Sequence, residues 1–253
     1  LWPESVAGSG MIGTGKGSPA LHFLGRWCRR EYRRPDRVVV QSPGFKQNLV
    51  ERGVKSERIE VIYNWCDESI SLPSPDDAAA SAELGLNGRF NVLFAGTMGI
   101  MQSLDVVVEA AKRLSTSAPE VLFTMVGDGV EAERLQHEAK GLPNIQFLPR
   151  RPAVEMGGLY ALADALLVHL KDSPTHAITI PSKTQSYLFA GKPILCGVPG
   201  DTAGLVQRAG AGVVFRPESA DSLVEGVLSL RAMSAADRAQ LGANGRAYYE
   251  RHL

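Results

Sequence analysis

Four loops of this sequence hold residue types that could bind a phosphate group. They cover residues 96–99, 127–129, 149–152 and 181–186, and all are rich in glycine, proline or hydroxyl side chains. Glycine between a strand and a helix permits positive φ angles and lets backbone N–H groups approach a phosphate, which the helix N-terminus then stabilises. Each loop alone is typical of tight turns in any α/β sheet. Together they predict a site for a phosphorylated ligand.

Lys183 is the strongest single candidate for neutralising such a ligand. It lies between Pro181 and the predicted beginning of a helix, where an ammonium group could meet a diphosphate held over the helix N-terminus. A departing diphosphate carries negative charge that must be stabilised. The competing interpretation is an ordinary surface lysine, because lysine is seldom buried without a partner.

Two histidines lie near the same loops. His169 ends a predicted strand and His176 lies in the loop that follows it. We interpret both as strand-end and loop residues, with ligand contact as the alternative for His176, since imidazole is suited to proton transfer. The spacing of Asp, Glu, His and Cys predicts no metal site.

A glycine-rich segment at residues 10–17 approaches the phosphate loop of nucleoside triphosphatases but fails that pattern twice. Gly17 stands where a Ser or Thr must hold magnesium, and residues 1–9 do not form the required buried strand pattern. We therefore reject this interpretation.

The elements that position the loops alternate from residue 89 onward. Apolar runs predict strands at 90–95, 121–126, 144–148, 165–170, 193–195 and 212–215, with helices at 104–114, 131–139, 158–163, around Tyr187, 203–208 and 220–230. This alternation is typical of an open, doubly wound parallel α/β sheet. Ligands bind at the carboxyl edge of such sheets, so we expect the four loops to converge there.

A smaller unit precedes this sheet. The sequence predicts two strands, at residues 37–41 and 59–62, with a helix at 45–52 between them. This order is typical of a parallel βαβ unit. A stretch of turn-forming residues follows and predicts a linker. The predicted division is residues 1–67, a linker at 68–88 and a second domain at 89–253.

Size and composition indicate a folded protein. The chain has 253 residues, of which 44% are hydrophobic, enough for a sizeable core. Its longest apolar runs are far shorter than the ~20 residues of a membrane-spanning helix. Three distant cysteines without a Cys-x-x-Cys spacing argue against disulfides and structural zinc, and they favour a reducing, cytoplasmic setting.

The charge is distributed unevenly along the chain. Residues 1–58 contain eleven Lys or Arg against five Asp or Glu, while the remainder contains sixteen against twenty-two. Much of the basic excess lies at residues 26–34, where aromatic residues alternate with arginines on a helix predicted to begin near Leu21. A solvated helix face, a surface for anionic lipid headgroups and a nucleic-acid surface are the three interpretations, in that order.

The order and spacing of several segments resemble family 4 glycosyltransferases, in particular the branch that builds bacterial capsular and exopolysaccharide chains. The matching segments are residues 1–5, 42–46, 59–67, 94–99 with Leu104 and Asp105, 126–129, 181–183 and 190–194. The resemblance covers nearly the whole chain. It implies a retaining enzyme of the GT-B fold, with two facing Rossmann-like domains. Residues 1–67 would be the C-terminal part of the acceptor-binding domain, and 89–253 the nucleotide-sugar-binding domain.

The resemblance also implies roles for single residues. Gly96 and Thr97 would face the donor diphosphate, Gly127 and Asp128 would lie near the nucleoside, the backbone from Leu148 to Arg150 would hold the base, and Lys183, Gln185 and Ser186 would border the diphosphate and ribose. The donor would be a uridine diphosphate sugar, with no separate cofactor. The acceptor would be a glycan or a polyprenyl-linked molecule at the inner membrane, so the protein would be cytoplasmic or peripheral to that membrane.

The sequence departs from the family pattern at two pairs of positions. Thr97 and Gln102 stand where an Arg and a Lys usually contact the diphosphate, and Ile178 and Ser186 stand where two glutamates are usual. Either Lys183 and backbone amides take over the electrostatic work, or the site binds without reacting well. We favour the first, because backbone donors and one lysine can stabilise a leaving group.

Segments that relatives carry before residue 1 and after residue 253 are not found in this sequence, so we expect a fragment. Transfer needs both domains to close and exclude water, and we therefore expect donor binding with little turnover.

Two other functions stay open. A dinucleotide-dependent oxidoreductase would use Gly96 and Gly99 for a pyrophosphate, but the third glycine of that fingerprint is missing and no acidic residue ends a strand about 20 positions later. A non-catalytic sensor or scaffold for sugar nucleotides is favoured by the missing glutamates.

Overall fold

The computed structural model describes residues 19–68, 82, 84–86 and 88–253. The predicted segments at residues 1–5 and 10–17, and most of the predicted linker, lie outside the described residues. The domain boundaries therefore stay a prediction.

The first unit is a short parallel βαβ arrangement. Helix α1 (Pro19–Tyr32) precedes strand β1 (Val38–Val40), helix α2 (Pro43–Glu51), a 3₁₀ turn (Ser56–Arg58) and strand β2 (Ile59–Val61). The two strands are parallel neighbours, with Val38 opposite Ile59. Ser42 begins α2 because its hydroxyl accepts a hydrogen bond from the Phe45 N–H at 3.1 Å, an N-cap that satisfies a free donor of the first turn.

The second unit is a six-stranded parallel sheet in the order β5-β4-β3-β6-β7-β8. Its strands are β3 (Phe90–Ala95), β4 (Val121–Val126), β5 (Ile145–Leu148), β6 (Ala165–His169), β7 (Ile194–Gly197) and β8 (Gly212–Val214). The helices are α3 (Asp105–Ser117), α4 (Ala132–Glu138), α5 (Met156–Ala161), α6 (Pro174–Ala177), α7 (Ser182–Ala190), α8 (Asp201–Ala209), α9 (Ala220–Ala232) and α10 (Ala235–His252), with 3₁₀ turns at Ile100–Gln102 and Ala153–Glu155. The strand order reverses between β3 and β6, which creates a crevice at their carboxyl ends.

The core lies on both faces of this sheet. Val92 and Phe94 of β3 point into one apolar cluster, and Leu93 and Ala95 point into the other. Alternate residues of a strand face opposite sides, so a strand that is covered on both sides must be apolar throughout. This explains why β3 is buried along its whole length.

The structure confirms the predicted doubly wound sheet, with strand ends shifted by one or two residues. Two helices, α6 and α10, were not predicted. Helix α10 has 18 residues, of which only Gly242, Gly245 and Tyr249 are buried. It packs on α7 through its glycines, since a Cβ at Gly245 would lie 3.2 Å from Leu188 Cδ2. Such a helix has no apolar periodicity that a sequence could reveal.

The two units touch at several points. The Ser42 hydroxyl donates to the Ile178 carbonyl at 2.5 Å, and the Gly44 N–H donates to Asp201 Oδ2 at 2.7 Å. Ile178 therefore contacts the first unit.

In the part of the chain that the structure describes, no helix is both long and apolar enough to cross a bilayer.

Candidate functional site

The loops after β3, β4 and β5 enclose a cavity of about 380 Å³ at the carboxyl edge of the sheet. Its lining includes Gly96, Thr97, Gly127, Asp128 and Arg150, five of the residues predicted from the sequence. They converge because the carboxyl ends of neighbouring parallel strands meet at one edge. The cavity lies on the β4 and β5 side of the crevice.

The glycines of these loops permit a close approach of backbone to backbone. Gly96 and Gly127 have φ angles of +137° and +139°, and a Cβ on Gly127 would collide with the Gly96 carbonyl oxygen. Their N–H groups serve the sheet, because Gly96 N donates to the Val126 carbonyl at 2.9 Å and Gly127 N to the Leu148 carbonyl at 3.1 Å. The glycines thus shape the cavity floor, and their own N–H groups are not offered to a ligand.

The next residue in each loop carries the accessible donor. Thr97 and Asp128 are exposed, and no acceptor among the described residues takes up the N–H group of either one. Met98 N, by contrast, donates to the Asp128 carbonyl at 2.8 Å and ties the two loops together. Two backbone donors therefore remain for an anionic group in the cavity.

Lys183 lies at the N-terminal end of α7, next to Gly96. Its Nζ is 3.7 Å from the centre of the Phe94 ring, and a Cβ on Gly96 would lie 2.9 Å from it. The Nζ atom is buried and has no hydrogen-bond partner among the described residues. Burial lowers the pKa of Lys183 to about 7, because removal from water disfavours the charged amine. The ring face compensates only part of that cost.

A buried amine without a hydrogen-bond acceptor is uncommon in folded proteins, and each such group calls for an explanation. An anion bound beside Gly96 would provide the missing acceptor. Lys183 lies near the beginning of a helix, as expected from the sequence, while its contact with a diphosphate stays a prediction. Its burial over an aromatic ring could not be read from the sequence.

Gln102, Gln185 and Ser186 do not line the cavity. The Gln102 side chain accepts a hydrogen bond from Gly99 N at 3.1 Å within its own turn. Gln185 is buried, and its amide nitrogen, oriented to donate, bonds to the carbonyls of Pro181 and Ser182 at 2.9 Å each. Leu148 is also absent from the lining, and its carbonyl accepts the hydrogen bond from Gly127 N–H. The ligand contacts assigned to these four residues stay predictions.

The histidines are both engaged by backbone groups. His176 Nδ1 lies 2.8 Å from the Lys171 carbonyl, and His169 Nδ1 lies 2.7 Å from the Gln102 carbonyl. Neither lines the cavity. Within the described residues, no three His, Cys, Asp or Glu side chains are grouped so that they could hold a metal ion.

Several lining residues were missed in the sequence. Arg151, Ala153, Met156 and Tyr160 complete the wall beyond Arg150. Tyr160 packs edge-on against Tyr187, with ring centres 5.5 Å apart, and burial raises its pKa to about 12. Arg151 belonged to a loop already singled out, but the six-residue helix α5 carries no periodic signal that would point to Tyr160.

Comparison with known proteins gives two family matches. Residues 76–248 match the family described as glycosyl transferases group 1, and residues 11–69 match glycosyltransferase family 4. Among individual relatives, WcaI of Escherichia coli (strain K12), named as a colanic acid biosynthesis glycosyl transferase, is 27% identical over 233 residues. The match covers 88% of this chain and 56% of WcaI, so the chain spans little more than half of that relative.

Solved structures share the fold. Anabaena Alr3699/HepE, solved in complex with UDP-glucose, has a TM-score of 0.76 at 20% identity, covering 91% of this chain and 63% of that one. WaaG, a glycosyltransferase involved in lipopolysaccharide biosynthesis, has a TM-score of 0.73 at 19% identity, covering 99% and 68%. The match to residues 76–248 takes in more than half of the chain, and the protein therefore belongs to the glycosyl transferases of group 1.

Proposed function

We propose that the protein, in its whole form, transfers a sugar from a nucleoside diphosphate sugar to a glycan or polyprenyl-linked acceptor during assembly of a surface polysaccharide. The observation that carries the proposal is the buried Nζ of Lys183, which lacks a hydrogen-bond acceptor beside Gly96. Two relatives support it: WcaI is named for colanic acid biosynthesis, and Alr3699/HepE was solved with UDP-glucose. Family membership favours this reading over a dinucleotide-dependent oxidoreductase.

The donor would lie along the cavity from base to diphosphate. Arg150 and Arg151 of the cavity wall would provide positive charge and backbone groups for the nucleoside, and the Thr97 N–H would face the phosphates. Lys183 is not part of the cavity lining, but its Nζ lies beside Gly96 and would reach the phosphates from there. When the bond between sugar and phosphate breaks, negative charge grows on the leaving diphosphate. A fixed ammonium and a backbone N–H in a partly enclosed site stabilise that charge. These groups would replace the Arg and Lys that much of the family uses.

We further propose that transfer retains the anomeric configuration, as in the family this chain resembles. Transfer is compatible with an isoleucine at position 178 and a serine at position 186. Lys183 and backbone N–H groups, rather than carboxylates, would stabilise the negative charge on the departing diphosphate. Chromatographic or NMR identification of the product anomer by the whole protein tests this, and an inverted product would contradict it.

The basic helix α1 is proposed as the contact with anionic lipid headgroups. Phe23 and Trp27 are 74% and 54% exposed, and Arg26, Arg29, Arg30 and Arg33 border an open recess beside them. Exposed aromatic rings among arginines suit the boundary between headgroups and acyl chains. Vesicle flotation should show binding that requires anionic lipid, and equal flotation with neutral vesicles would refute it.

Calorimetry with uridine diphosphate tests the donor site directly. The wild-type chain should bind, and the Lys183→Ala variant should bind at least about 10-fold more weakly. Lys140→Ala is the matched control, because Lys140 is exposed and does not line the cavity. In the whole enzyme, Lys183→Ala should reduce transfer by ~100-fold or more. No binding by the wild-type chain at millimolar uridine diphosphate would overturn the proposal.

A further inference from the structure

His169 joins three loops at the carboxyl edge of the sheet. It is the last residue of β6 and is completely buried. Its Nδ1 lies 2.7 Å from the Gln102 carbonyl, in the loop after β3, and its Nε2 accepts from the Glu218 N–H at 2.9 Å, in the turn after β8. The ring stacks on Phe215, with an angle of 9° between the planes and 5.8 Å between their centres.

These two hydrogen bonds fix the protonation of the ring. A backbone N–H can only donate, so the Nε2 that faces Glu218 carries no proton. A carbonyl can only accept, so the Nδ1 that faces Gln102 carries one. The geometry therefore selects one neutral form of the imidazole, and a second proton on Nε2 would set two donors against each other.

The network around His169 holds backbone in unfavourable conformations. The two non-glycine residues with positive φ in the described chain are Ser103 at 45° and Glu218 at 55°. The Ser103 hydroxyl donates to Glu218 Oε1 at 3.0 Å, and the Asp172 N–H donates to Glu218 Oε2 at 2.9 Å. Strained residues persist only when their surroundings fix them, and they are often found at functional sites.

The loop that His169 anchors is the one that carries Gly96 and Thr97. Gln102 ends its 3₁₀ turn, and the Gln102 side chain bonds to Gly99 N within the same loop. Release of the Gln102 carbonyl would remove one of the attachments at the end of this loop. The Ser103 hydroxyl bond to Glu218 and the Met101 carbonyl, to which Lys171 N donates at 2.9 Å, would remain.

The charged groups around the ring come from three elements. Glu218 of the turn after β8 favours a charged ring, whereas Lys183 of α7 opposes it. Lys171 and Asp172 lie two and three residues after His169 in the chain. On the β7 side the ring faces Gly197, which carries no charge and where a Cβ would lie 2.5 Å from His169 Cδ2. Burial is the largest influence and lowers the pKa of His169 below its usual value, so the neutral ring prevails at physiological pH.

We propose that neutral His169 is a positioning residue whose bond to the Gln102 carbonyl holds the 96–103 loop over the donor cavity. Protonation of its ring releases the Glu218 N–H, loosens the Glu218 carboxylate that holds the Ser103 hydroxyl at the end of that loop, and so weakens donor binding in acid. The effect on donor binding rests on the proposed function, whereas the protonation state of the ring and the anchoring of the loop do not.

Three variants separate the two hydrogen bonds. In His169→Asn the amide nitrogen takes the place of Nδ1 and can still donate to the Gln102 carbonyl. His169→Gln can place an oxygen near the Nε2 position, where it accepts from Glu218 N–H. In His169→Phe the stacking on Phe215 remains and both hydrogen bonds are lost. The exposed His137 supplies the control variant His137→Asn.

The first test needs no ligand. Ring ¹⁵N shifts in the wild-type chain at pH 7.5 should show a protonated Nδ1 and a bare Nε2. Amide hydrogen exchange of residues 97–103 should be about 10-fold faster in His169→Phe and less accelerated in His169→Asn, which keeps the Gln102 bond and loses the Glu218 bond. A ring protonated on Nε2, or unchanged exchange in His169→Phe, would overturn the inference. If His169→Phe does not fold, exchange in His169→Gln, which also loses the Gln102 bond, decides the matter.

The second test uses uridine diphosphate. Because the pKa of His169 lies below its usual 6.5, wild-type affinity should fall as the pH drops below that value. The His137→Asn control should show the same fall as wild type, and the fall in His169→Asn should be smaller. His169→Gln should bind about 10-fold more weakly at pH 7.5. The same pH profile in wild type and His169→Asn would refute the acid release. If the wild-type chain binds no uridine diphosphate, the proposed function fails, while the ring shifts and amide exchange still judge the anchoring role.

Discussion

The Nζ of Lys183 lies 3.7 Å above the centre of the Phe94 ring, beside the loop of Gly96 and without a hydrogen-bond acceptor among the described residues. The fold keeps the amine there because Lys183 lies in the first turn of α7, and Phe94 lies near the carboxyl end of strand β3. A buried amine without an acceptor lowers the stability of the folded chain, and the same amine can bind an anion that enters the cavity. Two predictions follow from that conflict.

The first prediction concerns protons taken up on binding. With the pKa of Lys183 at about 7 in the free protein, most of the amine is neutral at pH 8. A bound diphosphate favours the charged form and raises the pKa, so binding at pH 8 should take up close to one proton. Calorimetry in buffers of different ionisation enthalpy measures this number. The phosphate of uridine diphosphate is already ionised at that pH, since such groups have a second pKa of about 6.

Lys183→Met provides the control for that measurement, because it keeps the apolar length of the side chain and has no titrating group. Its residual binding should take up no proton. A wild-type uptake near zero, or equal uptake by the variant, would mean that Lys183 does not face the phosphates.

The second prediction concerns stability. Between about pH 7 and the ordinary lysine value of 10.5, the unfolded chain binds more protons at Lys183 than the folded chain, so wild-type stability should rise with pH across that window. Lys183→Met removes the buried amine. Its melting temperature should exceed that of the wild type by roughly 2–4 °C at pH 7, and by less at pH 9. Differential scanning calorimetry measures both, and a variant less stable than wild type at pH 7 would show that the amine stabilises the fold.

Which parts of this picture could be predicted from the sequence depends on how local their signals are. The apolar run of β3 and the glycine turn at Gly96 are local patterns, and the structure confirms the sheet they indicate. The burial of Lys183 is not local, because Phe94 is distant in sequence and reaches it only through the strand order. The same holds for Tyr160. Its short helix connects β5 to β6, which lie on opposite sides of β3, and only this strand order brings Tyr160 to the cavity.

Gln185 shows a different limit. Its amide nitrogen, oriented to donate, bonds to the carbonyls of Pro181 and Ser182 at the start of its own helix, and its predicted ligand contact stays a prediction. The sequence shows where such a side chain lies along the helix. It does not show whether the side chain bonds to a ligand or to nearby backbone carbonyls.

The third prediction concerns Gly127. Its φ of +139° disfavours any side chain, and a Cβ would overlap the Gly96 carbonyl. Gly127→Ala should therefore lower the free energy of unfolding by about 2–4 kcal/mol and reduce uridine diphosphate binding, since both loops of the cavity would have to separate.

Gly141→Ala is the matched control, because Gly141 has a φ of +86° but an open space around it. It should cost only about 1 kcal/mol and leave binding unchanged. Urea denaturation and calorimetry compare them, and equal costs for the two variants would show that loop contact plays no part.

The fourth prediction concerns the attachment of α10 to the end of the first unit. The buried Tyr249 hydroxyl accepts from the Cys66 N–H at 3.2 Å and donates to Glu68 Oε1 at 2.8 Å. Tyr249→Phe leaves the apolar packing on Phe189 intact and removes the partner of a buried N–H, so it should destabilise the chain by about 1–3 kcal/mol. It should also speed amide exchange at Cys66.

Tyr248→Phe tests the specificity of that effect on the same helix. The Tyr248 ring packs on His252 with centres 4.5 Å apart, a contact that phenylalanine preserves, so the change should stay within about 0.5 kcal/mol. Urea denaturation gives both free energies. If the two variants lose the same stability, the hydroxyl of Tyr249 does not tie α10 to Cys66. If only Tyr249→Phe is destabilised and the Cys66 amide exchanges faster, the Tyr249 hydroxyl attaches the end of the first unit to α10.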